Sequence, residues 1–267
     1  RDYFAWYRRA NDYILKQDYS LWRQPAETPN PLDEAMAKDA RKVAGAQLKP
    51  AFPDDSVPEA DLKHSFLHRQ KAEYQVWLRK GERLQGQLQA LKHVYITSDS
   101  TASIVAPSGK LLATVTAEIG ASATIDIVAP EDGVYGIAIT SGNGKGRLIL
   151  ANRYVCIAGP KMRLVDDQIP AYIIPKEGAD FFALTIRSDA PGEHLQVKLS
   201  DPDGKVVFDG NTRETGIVKL RGDTGGRRGA WKLELTKAIE DIYVEFGEFC
   251  EPRLATHPAR LLKAAQP

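Results

Sequence analysis

The chain has 267 residues, 43% hydrophobic and 27% charged, with 36 Lys and Arg against 35 Asp and Glu for a formal net charge of +1. This composition sustains a packed core and excludes wholesale disorder, and a charge so near zero argues against nucleic-acid binding carried by bulk electrostatics. No apolar run approaches the roughly 18–20 residues that span a bilayer, and no basic-then-apolar signal peptide opens the chain, so no membrane span is expected.

Residues 1–23 place Phe4, Tyr7, Ile14 and Leu21 near helical spacing, with Arg and Lys between them, and predict an amphipathic helix. A shorter helical stretch follows over 33–48, and the proline-rich 49–60 reads as linker. Residues 61–91 carry Leu62, Phe66, Tyr74, Trp77, Leu84, Leu88 and Leu91, with Asp61 as a plausible N-cap. They predict the strongest helix of the chain, so that 1–91 forms a helical hairpin or bundle. From His93 the apolar period changes to two. HVYIT, ASIVA, LLATVTA, ATIDIVA, VYGIAIT and RLILA are separated by turn clusters such as PSG, PEDG and SGNGKG, and predict short antiparallel strands. AYIIP, DFFALTIR, HLQVKLS, KVVFD, GIVKL, AWKLEL and DIYVEF form a second set, and the tail 251–267 carries no strand pattern and is expected to run over the surface.

The two strand sets answer each other. Pro107, Gly109 and Lys110 recur as Pro202, Gly204 and Lys205 at an offset of 95, and Tyr135 recurs as Trp231 at 96. Repeats of this length indicate duplicated small domains and not a solenoid, whose units run roughly 20–50 residues. The expected architecture is α+β: a helical segment over 1–91, two related antiparallel β-sandwiches of jelly-roll type in tandem over 92–159 and 160–250, and a C-terminal extension over 251–267. Cys156 and Cys250, 94 residues apart, read as buried thiols rather than a bridge.

Candidate sites follow from where the copies differ. RGDTGGRRG (221–229) offers Arg221, Asp223, Arg227 and Arg228 on a glycine-rich loop, which could hold an anion through backbone N–H groups and guanidinium forks, or be a solvated hairpin tip. Trp231 beside it could stack on a sugar ring, although its match with Tyr135 points to a shared core role. Asp201 and Asp203, with Asp209, could supply oxygen ligands to calcium. The first copy has Ala106 and Ser108 at the matching positions, so folding of the repeat needs no metal. His64 and His68 would share one face of the expected helix, without the glutamate of HExxH. Motifs for nucleophilic, nucleotide-dependent or zinc chemistry do not occur, and GNGKG (142–146) reads as a hairpin.

The PxGK turns, LSDPDGK, APEDGVYGIAI and IIPKEGADFFALTIR resemble accessory β-sandwiches of secreted bacterial hydrolases, the pre-peptidase C-terminal type and carbohydrate-binding modules, over about 93–250. Residues 1–91 are similar to the helical segments that join catalytic barrels to terminal sandwiches in large glycoside hydrolases. The resemblance implies a non-catalytic, carbohydrate-targeting or scaffolding region of a larger extracellular or periplasmic enzyme, with polysaccharide and an upstream catalytic domain as partners and no required cofactor. The opening on Arg1 agrees with an excised fragment or processed product. Two other readings stay open: a glycosidase with carboxylates in a cleft between helices and sandwich, and a protein-interaction module that uses the 61–91 helix.

Overall fold

The computed structural model describes residues 31–265 apart from 93–97, 189 and 191. The helix expected over 1–23 and the strand expected over 93–97 lie outside the described residues. Residues from Met36 onward form one compact unit, mostly antiparallel β-sheet. Helix α1 (Pro31–Val43) matches the short helix expected from 33. From Met36 on it presents Ala37 and Ala40 to Val105 and Ala138. Its close approach needs Gly136, where a Cβ would stand 2.1 Å from the Ala40 carbonyl oxygen.

The stretch read as the strongest helix is instead two strands, β2 (Leu67–Leu78) and β3 (Arg83–Leu91), separated by a one-turn helix α2 (Glu59–Leu62) from the strand β1 (Leu48–Pro50). Burial along β2 has period two: His68, Ala72, Tyr74, Val76 and Leu78 face the core, as do Leu84, Leu88 and Ala90 in β3. Two irregularities disguise this alternation. The pairing slips around Gln70, which takes a φ of 63°, and Gly86 stands at a core-facing position where a Cβ would lie 2.0 Å from the Ile149 carbonyl oxygen. The expected helical segment over 1–91 is therefore overturned for 61–91, and with it the interaction surface that a 61–91 helix would supply.

The remaining strands are β4 (Ser100–Val105), β5 (Leu111–Ala117), β6 (Ser122–Val128), β7 (Gly133–Leu150), β8 (Val155–Ala158), β9 (Lys161–Val165), β10 (Ala171–Ile173), β11 (Phe181–Arg187), β12 (Gln196–Ser200), β13 (Val206–Asn211), β14 (Ile217–Asp223), β15 (Trp231–Thr236), β16 (Asp241–Phe246), β17 (Arg253–Leu254) and β18 (Leu262–Ala264). A four-stranded sheet has the order β10-β15-β12-β13, and a long sheet runs β14-β11-β16-β9-β2-β7-β3-β6. Trp231 on β15 meets Phe182 on β11 edge to face at 5.0 Å, which places the core between the two sheets.

Strand pairing recurs along the chain. The β4–β5 hairpin pairs Ile104 with Ala113 and then slips to Val105 with Leu111, and β12–β13 pairs Leu199 with Phe208 and slips to Ser200 with Val206. In the two PxGK turns Gly109 and Gly204 take φ of 87° and 84°, a backbone that favours glycine. Each donates its N–H over 2.9 Å to the carbonyl of the residue three before it, Ala106 or Asp201. Tyr135 and Trp231, both 1% exposed, are core residues. β7 does in one 18-residue strand what β15 and β16 do in two. Its first part pairs β2 and β4, as β15 pairs β10 and β12; its last part pairs β2 and β3, as β16 pairs β9 and β11. GNGKG is thus not a hairpin, because the chain continues in the same direction through Ser141–Gly144 while the β2 register slips past it.

The two sets meet where β17 pairs with β8 and at one position of a β2–β9 ladder, His68 opposite Leu164. These residues are 96 apart, the offset that relates β7 to β15 and β16, so each faces its own counterpart. Polar ties flank the joint: Leu67 donates its N–H to Gln168 Oε1 at 3.1 Å, Lys145 pairs with Asp166 at 2.6 Å, and Arg69 reaches Asp241 and Glu240, both at 3.3 Å. The tail is part of the core and not a surface strap. Leu254, Ala255, Ala259, Arg260, Leu261 and Leu262 are buried, β17 pairs with β8, and β18 pairs with β1. Both cysteines are free, buried thiols.

Candidate ligand-binding face

The residues proposed around RGDTGGRRG part company in three dimensions. Trp231 is sealed in the core. Arg227 leaves the loop to pair with the buried Asp201 carboxylate, so residues proposed for two different sites join in one ion pair. Asp201 Oδ1 also accepts the backbone N–H of Asp203 at 3.1 Å and of Lys205 at 2.9 Å. With its oxygens so engaged, Asp201 serves as a turn cap, and a cation there would have to displace three donors. Asp203 is exposed, and the described residues contain no cluster of three or more His, Cys, Asp or Glu suited to a metal. The loop also spends amides on itself: Arg227 donates its N–H to the Thr224 carbonyl at 2.9 Å and Gly226 to Thr224 Oγ1 at 3.4 Å. This uses part of the donor set an anion cradle would need. Arg228 is exposed at the loop tip.

Arg221 and Asp223 remain at the surface and acquire partners the sequence did not announce. Both lie on β14, an edge strand, with side chains 63% and 75% exposed and Arg221 Nε 2.9 Å from Asp223 Oδ1. Asp223 stands opposite Phe181 in the β11–β14 ladder. The Arg221 guanidinium carbon lies 3.9 Å from the centroid of the Phe181 ring, a cation stacked on an aromatic face. Phe181 in turn meets Phe249 edge to face at 5.1 Å. Phe249 is 44% exposed and takes a φ of 57°, unusual for a bulky side chain. The surrounding backbone holds it there: Lys176 donates its N–H to the Phe249 carbonyl at 2.8 Å, Ala183 donates to the Glu248 carbonyl at 3.0 Å, and Cys250 bridges to Pro175. Phe181 and Phe249 were missed because both sit in segments read only as strand or strand end; the exposed Phe after DIYVEF was the available signal.

The corresponding face of the first set is built differently. There Arg83 on β3 pairs with Asp126 on β6 through two hydrogen bonds, one of 2.9 Å. The ion pair is present there, without the edge-to-face ring pair.

His64 and His68 do not share a face. His64 precedes β2 and lies 3.2 Å from Asp61, whereas His68 is fully buried and neither ring nitrogen finds a hydrogen-bond partner. Burial lowers its pKa from the ordinary 6.5 to about 3. Gly146 leaves it room, since a Cβ there would be 2.6 Å from Nε2. The cleft beside His64 is lined by Ser65, Phe66, Tyr74 and Arg260 and has room for about one water molecule, far short of a small-molecule site. Arg260 is spent structurally. It donates to the carbonyls of Leu150 at 2.9 Å, Asn152 at 3.1 Å and His64 at 3.3 Å, and burial lowers its pKa to about 10.

No family model matches the chain, and no curated protein matches it. Among solved structures it is similar to the PBSX exported protein XepA, at 11% identity over 75% of this chain and 94% of that chain, with a TM-score of 0.25. It is also similar to the N-terminal CBM22-1-CBM22-2 tandem domain of Paenibacillus barcinonensis Xyn10C, at 7% identity over 72% of this chain and 78% of that chain, with a TM-score of 0.14. At TM-scores this low, function has to be argued from the geometry of the chain itself. No described helix is long and apolar enough to cross a membrane.

Proposed function

We propose that this chain is a non-catalytic accessory region, made of two related β-sandwich domains in tandem, that targets or scaffolds a larger secreted bacterial carbohydrate-active enzyme. β2 to β8 make the first domain and β9 to β17 the second, with an extracellular or periplasmic setting and an upstream catalytic domain as the expected neighbour. The observation that carries this reading is the division of labour between copies. Positions that recur, the PxGK turns and Tyr135 with Trp231, serve folding, while the exposed aromatic and ion-paired face of Phe181, Arg221, Asp223 and Phe249 belongs to one copy. Planar apolar rings beside hydrogen-bonding groups complement the C–H face and hydroxyls of a sugar.

A pull-down of the intact chain on insoluble polysaccharides, together with a glycan array, tests the targeting role. Retention on at least one polysaccharide is expected, and free passage through all of them would overturn it.

A further inference from the structure

We infer that Phe249, Phe181, Arg221 and Asp223 form a subsite for a neutral pyranose within a polysaccharide chain. This deepens the proposed carbohydrate-targeting role and rests on it. Three observations converge. First, Phe249 is 44% exposed and held at a φ of 57° by hydrogen bonds on both sides. Strain over-determined by its surroundings collects at functional positions, and here the held backbone together with the Phe181 ring keeps the Phe249 ring at the surface. A rigid ring loses little conformational entropy on binding.

Second, Phe181 supports Phe249 edge to face at 5.1 Å while carrying Arg221 on its own face at 3.9 Å. The two rings and the guanidinium therefore form one continuous surface across β11, β14 and the turn after β16. Third, Arg221 and Asp223 lie 2.9 Å apart and remain 63% and 75% exposed. A donor and an acceptor side by side match the paired hydroxyls on one sugar ring, each of which can both give and take a hydrogen bond.

The same pair decides the charge of the ligand. Asp223 neutralises Arg221 and would oppose the carboxylate of a uronic acid, whereas a neutral hexose or pentose meets no such penalty. The open edge of β14 places the subsite on a surface and not in a closed pocket, which suits an internal residue of a long chain. The first copy, with Arg83 and Asp126 but no ring pair, keeps the polar half and lacks the stacking half.

The test is affinity electrophoresis of the full chain and its Phe249→Ala and Phe249→Tyr variants, in gels containing a neutral soluble polysaccharide (hydroxyethylcellulose, xylan or galactomannan) or an anionic one (polygalacturonate or alginate). Thermal melting of each variant controls for folding. Retardation by a neutral polymer is expected, weakened about tenfold in Phe249→Ala and kept in Phe249→Tyr, with at most about a few degrees' fall in melting temperature. Neutral-polymer binding that survives Phe249→Ala, or a preference for the anionic polymers, would overturn the subsite and leave the targeting role standing. Failure of every polysaccharide to retard the unmodified chain would overturn both.

Discussion

The strands before Gly159 and those after it solve the same packing problem, and they differ at a few definable places. The first set uses a continuous β2 and β7 where the second uses the pairs β9 with β10 and β15 with β16. Its turn is capped from outside by Glu131, whose Oε1 accepts the Ser108 N–H at 3.0 Å, where the second is capped from within by Asp201, and it meets the joint with a histidine where the second brings Leu164. Both outer faces carry an ion pair, and the second adds an edge-to-face ring pair. The shared features are the buried aromatic positions and the left-handed glycine turns; the differences lie at the outer face, at a turn cap and at the joint. A recurring fold is thus held by its core, and its edges are free to vary.

The most damaging way to break this comparison is to remove a recurring core residue. Trp231→Ala is expected to cost ~3–5 kcal/mol, as deletion of a fully buried aromatic does, read as a lower urea midpoint. A loss below 1 kcal/mol would contradict the core role argued from its burial.

The joint supplies the next effect. His68 is neutral in the folded state because its pKa falls to about 3, below the unfolded value near 6.5. The unfolded chain therefore binds the proton first as pH falls, so stability is present above pH 6.5 and is lost between 6.5 and 3. Between pH 7 and pH 4 the loss from this one group is on the order of 3 kcal/mol. His68→Leu, which makes the joint leucine on both sides, should remove that component. Urea titrations of both forms at the two pH values decide the matter, and an equal acid sensitivity in the variant would refute it.

A smaller change is expected at the turn. Asp201→Ala copies Ala106 of the first set and should cost ~0.5–1.5 kcal/mol through its lost hydrogen bonds. Addition of calcium or a chelator should leave the melting temperature of the parent chain unchanged; a calcium-dependent rise would restore the metal reading. The smallest effect on stability is that of Phe249→Ala, exposed as the side chain is, which makes its expected loss of sugar binding a clean readout.

How far the sequence could be read follows the same physics. The turns were legible because proline and a left-handed glycine are local requirements, and the strands after His93 were legible because alternation survived in them. β2 and β3 were not. Lys, Glu, Gln and Arg on their outer faces are good helix formers. Their inner positions include His68, Ala72 and Gly86, which break the visible apolar period that Tyr74, Val76 and Leu78 would otherwise announce. Likewise the glycine-rich loop drew attention to Arg227 and Arg228, but the ring pair that completes the surface face comes from Phe181 and Phe249, 68 residues apart and joined only by the fold.

The meeting of His68 with Leu164 has a further consequence. A residue opposite its own counterpart is the geometry of an isologous contact, the kind that closes a twofold dimer and there forces every change to appear twice. Within a single polypeptide that constraint is lifted. One side can carry a histidine, an added cap or an aromatic face while the other keeps its original form, and the contact between them need satisfy only one pairing of unlike residues.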